Sequence, residues 1–254
     1  MKTRIVLIGL LAAALGLAAA DQGRAQRRIM PSLIAITAPD SSIIYADLHV
    51  PRDTAATKYP LIALMHMYDR GRSDFEKLIP LLLEQNWAVL NVDLRGHGKS
   101  ASVRGKLIKP NRLRLVDFRM MAGDLALLIS AVRERTARVD VSRLGIIGAS
   151  IGASVGLHYG AQHPELQALA LLSPGLEYKK LNSELHLAEY GNRPVLIMVG
   201  KYDTFAYLSS QTLDSTARGE KRLVVYENPK HGTDLFEAVP GADSVIVEWL
   251  DRYL

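Results

Sequence analysis

Gly148-Ala149-Ser150-Ile151-Gly152 is the segment that most restricts what this chain can fold into. It follows the apolar run Leu144-Gly145-Ile146-Ile147 and precedes a small-residue helical pattern from Ala153 to Gln162. A strand, a Gly-x-Ser-x-Gly turn and a helix form the layout of a nucleophile elbow. Such a turn is tight enough to strain the serine backbone. A glycine two residues away on each side removes side chains that would strike the neighbouring strand and helix. Ser150 then stands at the tip of a sheet with its hydroxyl exposed, and the Ile151 N–H points to where an oxyanion would form.

A chain of 254 residues is long enough for one α/β domain with a large core. Hydrophobic residues at 48% and charged residues at 22% exclude a disordered chain. With no cysteine, disulfides, thiolate–zinc sites and a cysteine nucleophile are excluded, so stability has to come from the core. Lys2 and Arg4, the apolar stretch Ile5 to Ala20 and the small residues Ala18-Ala19-Ala20 predict a signal peptide over residues 1–20. Cleavage is expected after Ala20, or after Ala25 as the second choice, leaving a polar linker over residues 21–32. The protein is then exported, periplasmic or extracellular. The alternative is an uncleaved membrane anchor over residues 5–20, although that run falls short of the roughly 20 residues a span needs. The formal charge of +5 drops by two when Lys2 and Arg4 are removed. The basic stretch Arg104 to Arg119 is interrupted by acidic and apolar residues, so no nucleic-acid partner is expected.

Periodicity organises the rest. Leu33 to Ile36 and Ile43 to Val50 read as strands around a turn at Pro39-Asp40-Ser41. Leu61 to Met65, Trp87 to Val92, residues 144–148, Leu169 to Leu172, Val195 to Val199 and Leu223 to Tyr226 read as further, mostly buried strands. Helical patterns cover Ser73 to Gln85, Asp117 to Arg135, Ala206 to Thr216 and Ala242 to Tyr253. The last of these puts Val245, Ile246, Trp249, Leu250 and Tyr253 on one face. Apolar strands alternating with helices predict a single domain over residues 33–254. Its sheet is mostly parallel, led by an antiparallel pair and covered by helices on both faces.

A serine nucleophile needs a base, and the base needs an orienting acid. In the order serine, acid, histidine, the acid follows a late strand and the histidine follows the last one. Asp203, in Gly200-Lys201-Tyr202-Asp203, follows the strand ending at Val199, and His231 follows the strand ending at Tyr226. Asp214 and Asp234 are weaker alternatives for the acid, one inside a helical pattern and the other capping or beginning one. A second oxyanion donor is expected from the loop after the third strand, His66-Met67-Tyr68, with the Met67 N–H as donor. His66 is expected to hydrogen-bond that loop. Tyr68 either lines a substrate pocket or simply packs.

These motifs, together with Asp93-Leu94-Arg95-Gly96-His97-Gly98-Lys99-Ser100 and His231-Gly232-Thr233-Asp234, resemble the α/β-hydrolase superfamily over residues 33–254. The similarity is greatest to its dienelactone-hydrolase-like esterase branch. Two departures stand out: His66-Met67 replaces the usual His-Gly, and Ser150 replaces the cysteine nucleophile of dienelactone hydrolases proper. The resemblance therefore implies an α/β-hydrolase fold and a serine hydrolase that cleaves carboxylic esters through an acyl-enzyme. Its catalytic residues are Ser150, Asp203 and His231, with no cofactor or metal and a small-molecule ester as partner. Peptidase or lactone hydrolysis are the rival reactions, and a non-catalytic binding protein that keeps the fold is the rival class. The superfamily inserts its caps where this chain holds only Ser173 to Arg193, so the expected cap is minimal. Gly96-His97-Gly98-Lys99-Ser100-Ala101 imitates a dinucleotide fingerprint, but a polar segment with Gly105 and Pro110 follows it instead of a helix.

Overall fold

The computed structural model describes residues 31–52 and 58–254. The expected signal peptide and the linker as far as residue 30 lie outside the described residues. Eight strands form the central sheet: β1 Ser32–Thr37, β2 Ile43–His49, β3 Tyr59–Met65, β4 Ala88–Val92, β5 Val139–Ala149, β6 Leu166–Leu172, β7 Val195–Gly200 and β8 Lys221–Tyr226. Their spatial order is β1-β2-β4-β3-β5-β6-β7-β8. The first two strands are antiparallel, β2 runs antiparallel to β4, and every later pairing is parallel. Seven helices accompany the sheet among the described residues: α1 Leu78–Glu84, α2 Leu115–Arg135, α3 Ile151–Gln162, α4 Ser183–Tyr190, α5 Thr204–Thr216, α6 Leu235–Ala238 and α7 Ala242–Leu250.

The burial pattern follows from the residues. Every position of β3 is buried, as its unbroken apolar run requires of a central strand covered on both faces. β2 buries only alternate residues, Ile44, Ala46 and Leu48. Along β5, Ile146 joins Phe118 and Leu125 of α2 and Val155 of α3 on one side of the sheet. Its neighbour Ile147 joins Leu78 and Leu82 of α1 and Ile246 and Trp249 of α7 on the other. Each such buried side chain contributes roughly 1.5–3 kcal/mol of transfer free energy. On α7, Ile246, Trp249 and Leu250 are buried and Val245 and Tyr253 pack partly against them, although the helix ends at Leu250.

Two segments depart from expectation. The helix expected over Ser73 to Gln85 is a 3-10 turn, Arg72–Phe75, followed by α1. Pro80 has no N–H for a continuous helix and its ring would strike the carbonyl four residues back. Restarting at Leu78 places it in a first turn, where neither matters. The polar stretch after β4 holds a two-residue hairpin, Ser102–Val103 with Lys106–Leu107, flanked by 3-10 turns. Between β6 and β7 lie only a small hairpin, Glu177–Tyr178 with Leu181–Asn182, and α4.

Candidate active site

Ser150 lies between the end of β5 and the start of α3 with φ 53° and ψ −116°. A side-chain-bearing residue enters this left-handed region only when its surroundings hold it there. Here the Ser150 N–H is pinned to the Leu172 carbonyl at 2.9 Å, and the helix that follows is buried almost throughout. Both flanking glycines are required by close approach. A methyl on Gly148 would come within 2.4 Å of the Gly152 carbonyl oxygen, and one on Gly152 within 2.1 Å of the Met65 carbonyl oxygen. The Ser150 hydroxyl is half-exposed and has no hydrogen-bond partner among the described residues. The Ile151 N–H, at the first turn of α3, is likewise unpaired.

The structure brings His231 and Asp203 together. His231 Nδ1 lies 2.5 Å from Asp203 Oδ2, with the aspartate side chain 15% exposed and the imidazole 41% exposed. Asp203 caps α5 just beyond β7, and His231 precedes the 3-10 turn Gly232–Asp234 beyond β8. The two alternative acids are engaged elsewhere. Asp214 faces Lys221 from within α5, and Asp234 pairs with Arg70 at 2.7 Å. A residue with no sequence signal fixes the histidine loop: Ser173, buried at the end of β6 with φ 47°, accepts the Gly232 N–H at 2.8 Å.

The loop after β3 corrects one expectation. The Met67 N–H donates to Asp74 Oδ2 at 3.1 Å, so it is committed within the protein and not offered to an oxyanion. The Tyr68 N–H, one residue on, has no partner among the described residues. Asp74 is nearly inaccessible, and burial raises its carboxyl above the usual range despite the Met67 N–H and the nearby Arg70 and Thr233. It is the turn at Arg72–Phe75, in place of a helix, that aims this carboxylate at the loop.

His66 hydrogen-bonds the same loop, as expected. Its Nε2 accepts the Leu94 N–H at 3.0 Å, so the proton sits on Nδ1 and is donated to the Met67 carbonyl at 2.6 Å. Burial pushes the His66 pKa from 6.5 down to about 4. The folded state therefore binds fewer protons than the unfolded chain between those values, and stability falls as pH drops through that window. The full contribution, on the order of 3 kcal/mol, is present above the unfolded-state pKa. Burial lowers the His97, His49 and His158 pKa values too, with the same sign. The urea midpoint should be clearly lower at about pH 4.5 than at about pH 7; equal midpoints would contradict a neutral buried His66.

The Tyr68 ring is half-buried among His97 (5.6 Å between centroids), Tyr178 (6.0 Å) and Phe118 (6.3 Å). Lys179, at the tip of the small hairpin, holds its ammonium over three of these rings. The segment after β4 binds to its own surroundings. Asp93 accepts the Lys99 N–H and the Arg72 side chain, and buried Arg95 pairs with Asp124 and Asp40, each at 2.6 Å. Among the described residues no cluster of histidine and carboxylate side chains could hold a metal ion, and no helix is long and apolar enough to cross a membrane.

A profile of the serine aminopeptidase S33 family matches residues 59–191, more than half of the chain. The chain belongs to that family. The matched region runs from β3 through the elbow to the end of α4, so it contains both the loop after β3 and Ser150. Like other S33 hydrolases, the chain has an α/β-hydrolase fold. A dienelactone hydrolase from Anabaena variabilis superposes with a TM-score of 0.68 at 21% identity, covering 89% of this chain and 99% of that one. An esterase from Pyrococcus furiosus superposes with a TM-score of 0.71 at 18% identity, covering 89% and 91%. In sequence, a soluble epoxide hydrolase from a Corynebacterium species is 32% identical over 126 residues, which span 48% of this S33 chain and 38% of that enzyme.

Proposed function

We propose that this chain is an exported serine hydrolase that cleaves carboxylic esters. The observation that carries the reading is the strained, unpaired Ser150 hydroxyl in a fold that also sets His231 against Asp203. Ser150 Oγ attacks the acyl carbon while His231 Nε2 takes its proton, and Asp203 accepts the Nδ1–H and stabilises the imidazolium. The tetrahedral oxyanion is received by the two free N–H groups, those of Ile151 and Tyr68. His231 then protonates the leaving alcohol and activates the water that releases the acid. In apo proteins the serine–histidine hydrogen bond is often open and tightens with substrate, in keeping with the unpaired hydroxyl. Export rests on the basic, apolar and small-residue pattern of residues 1–20.

General chemistry favours esters over the neighbouring reactions. A serine alkoxide that opened an epoxide would form an ether, which has no acyl carbon for water to attack, and the enzyme would not turn over. An aminopeptidase must hold a free ammonium group, and the charge poised over the oxyanion loop, Lys179, has the wrong sign for that. The test is a panel of nitrophenyl esters, aminoacyl nitroanilides and a styrene-type epoxide. Esters should be turned over and the other two should not; preferred cleavage of anilides would overturn the reading.

A further inference from the structure

We infer that Lys179 is the counter-ion for a carboxylate carried by the substrate, which makes this a hydrolase of anionic esters. The inference rests on the ester reading above. Lys179 and Lys180 form the two-residue turn of the hairpin Glu177–Tyr178 and Leu181–Asn182, with φ of 52° and 66°. Turns of this kind usually take asparagine and glycine, which tolerate positive φ, so two lysines there are held against backbone preference. The hairpin's own carboxylate, Glu177, pairs with Lys180 at 3.3 Å. Lys179 has no ion-pair partner among the described residues, although it is half-buried.

Its ammonium lies 5.4 Å from the Tyr178 ring centroid, 5.5 Å from that of Tyr68 and 5.6 Å from that of Phe118. Three ring faces hold a cation in position, but they carry no net charge to neutralise it. Nor do they use up its three N–H donors, which remain available for an anion. Tyr68 ties the position to the chemistry. Its ring is one wall of the cage, and its own N–H is the free donor of the oxyanion loop. The residue that holds the ammonium and the residue that offers the proposed oxyanion donor are therefore one and the same. A carboxylate on either side of the ester bond would meet a fixed, uncompensated positive charge.

The experiment compares kcat/KM for paired substrates in the wild type, Lys179→Gln and Lys179→Arg. Nitrophenyl hemiglutarate against nitrophenyl butyrate tests an acyl-side carboxylate. 4-Acetoxybenzoate against 4-acetoxybenzamide tests an alcohol-side one. Lys179→Gln should lower kcat/KM for the anionic member of one pair by roughly tenfold to a hundredfold, mainly through KM, and leave the neutral member within about twofold. Lys179→Arg should restore most of the difference. An equal loss on both members would make Lys179 structural and overturn the proposal, as would an unchanged ratio in both pairs. So would a gain by Lys179→Gln on cationic choline esters, which would show the cage to be a cation site with the lysine as its placeholder. A wild type inactive on all four esters would overturn the ester reading instead. Glutarate binding to Ser150→Ala, measured by calorimetry with and without Lys179→Gln, then decides the lysine's role without turnover.

Discussion

Ser150→Ala is expected to lower ester hydrolysis by about 10⁶, the scale seen when a triad serine is lost. The fold should survive. Alanine keeps the β-carbon, so the backbone at φ 53° is no more strained than before, and the hydroxyl that disappears had no partner to orphan. The far-ultraviolet dichroism and melting temperature should match those of the wild type. A fluorophosphonate probe should label the wild type at Ser150 and leave the variant unlabelled. Labelling that persists in Ser150→Ala would place the nucleophile elsewhere.

Asp203→Asn should reduce kcat by roughly 10⁴. The carboxylate that faces Nδ1 at 2.5 Å can only accept, which keeps the ring proton on Nδ1 and leaves Nε2 free to take the serine proton. An asparagine amide turned toward Nδ1 donates instead, moves the proton to Nε2 and disables the base. Asp214→Asn breaks only a long contact to Lys221 at 3.9 Å and should leave kcat close to that of the wild type. Asp234→Asn loses a surface pairing with Arg70 and should have a mild effect. If Asp214→Asn were the more damaging substitution, the acid would lie within α5 and not at its start.

Much of this arrangement is legible in the residues, because the strongest physical demands are local ones. The apolar runs of β3, β5 and β7 have to be buried on both faces, and the elbow glycines have to be small, so the central strands and the place of Ser150 after one of them follow from composition and spacing alone. Asp203 and His231 are legible as a pair because each lies in the loop that follows a late strand. The rest depends on contacts between segments distant in sequence. No local signal marks Asp74 as the acceptor of the Met67 N–H, since it sits in what reads as the first turn of a helix until Pro80 is counted against it. That hidden contact commits the Met67 N–H and is why the proposed oxyanion donor is the next residue, Tyr68. Ser173 and Lys179 are hidden in the same way. Positive φ at residues other than glycine leaves no trace in composition, and an aromatic cage assembled from residues 68, 118 and 178 has no sequence period.

The ties around Asp74 have a consequence for how such a hydrolase can diversify. Asp74 holds the Met67 N–H and lies beside Thr233, while Arg70 reaches Asp234 from the same loop. The loop after β3 and the turn that follows His231 are thus fastened as one unit. An insertion in either would drag the other out of register, so neither is free to vary with a new substrate. The hairpin and α4 beyond Ser173 stand outside these ties, so in the proposed hydrolase that short stretch is the replaceable module through which a fixed frame would acquire new specificities.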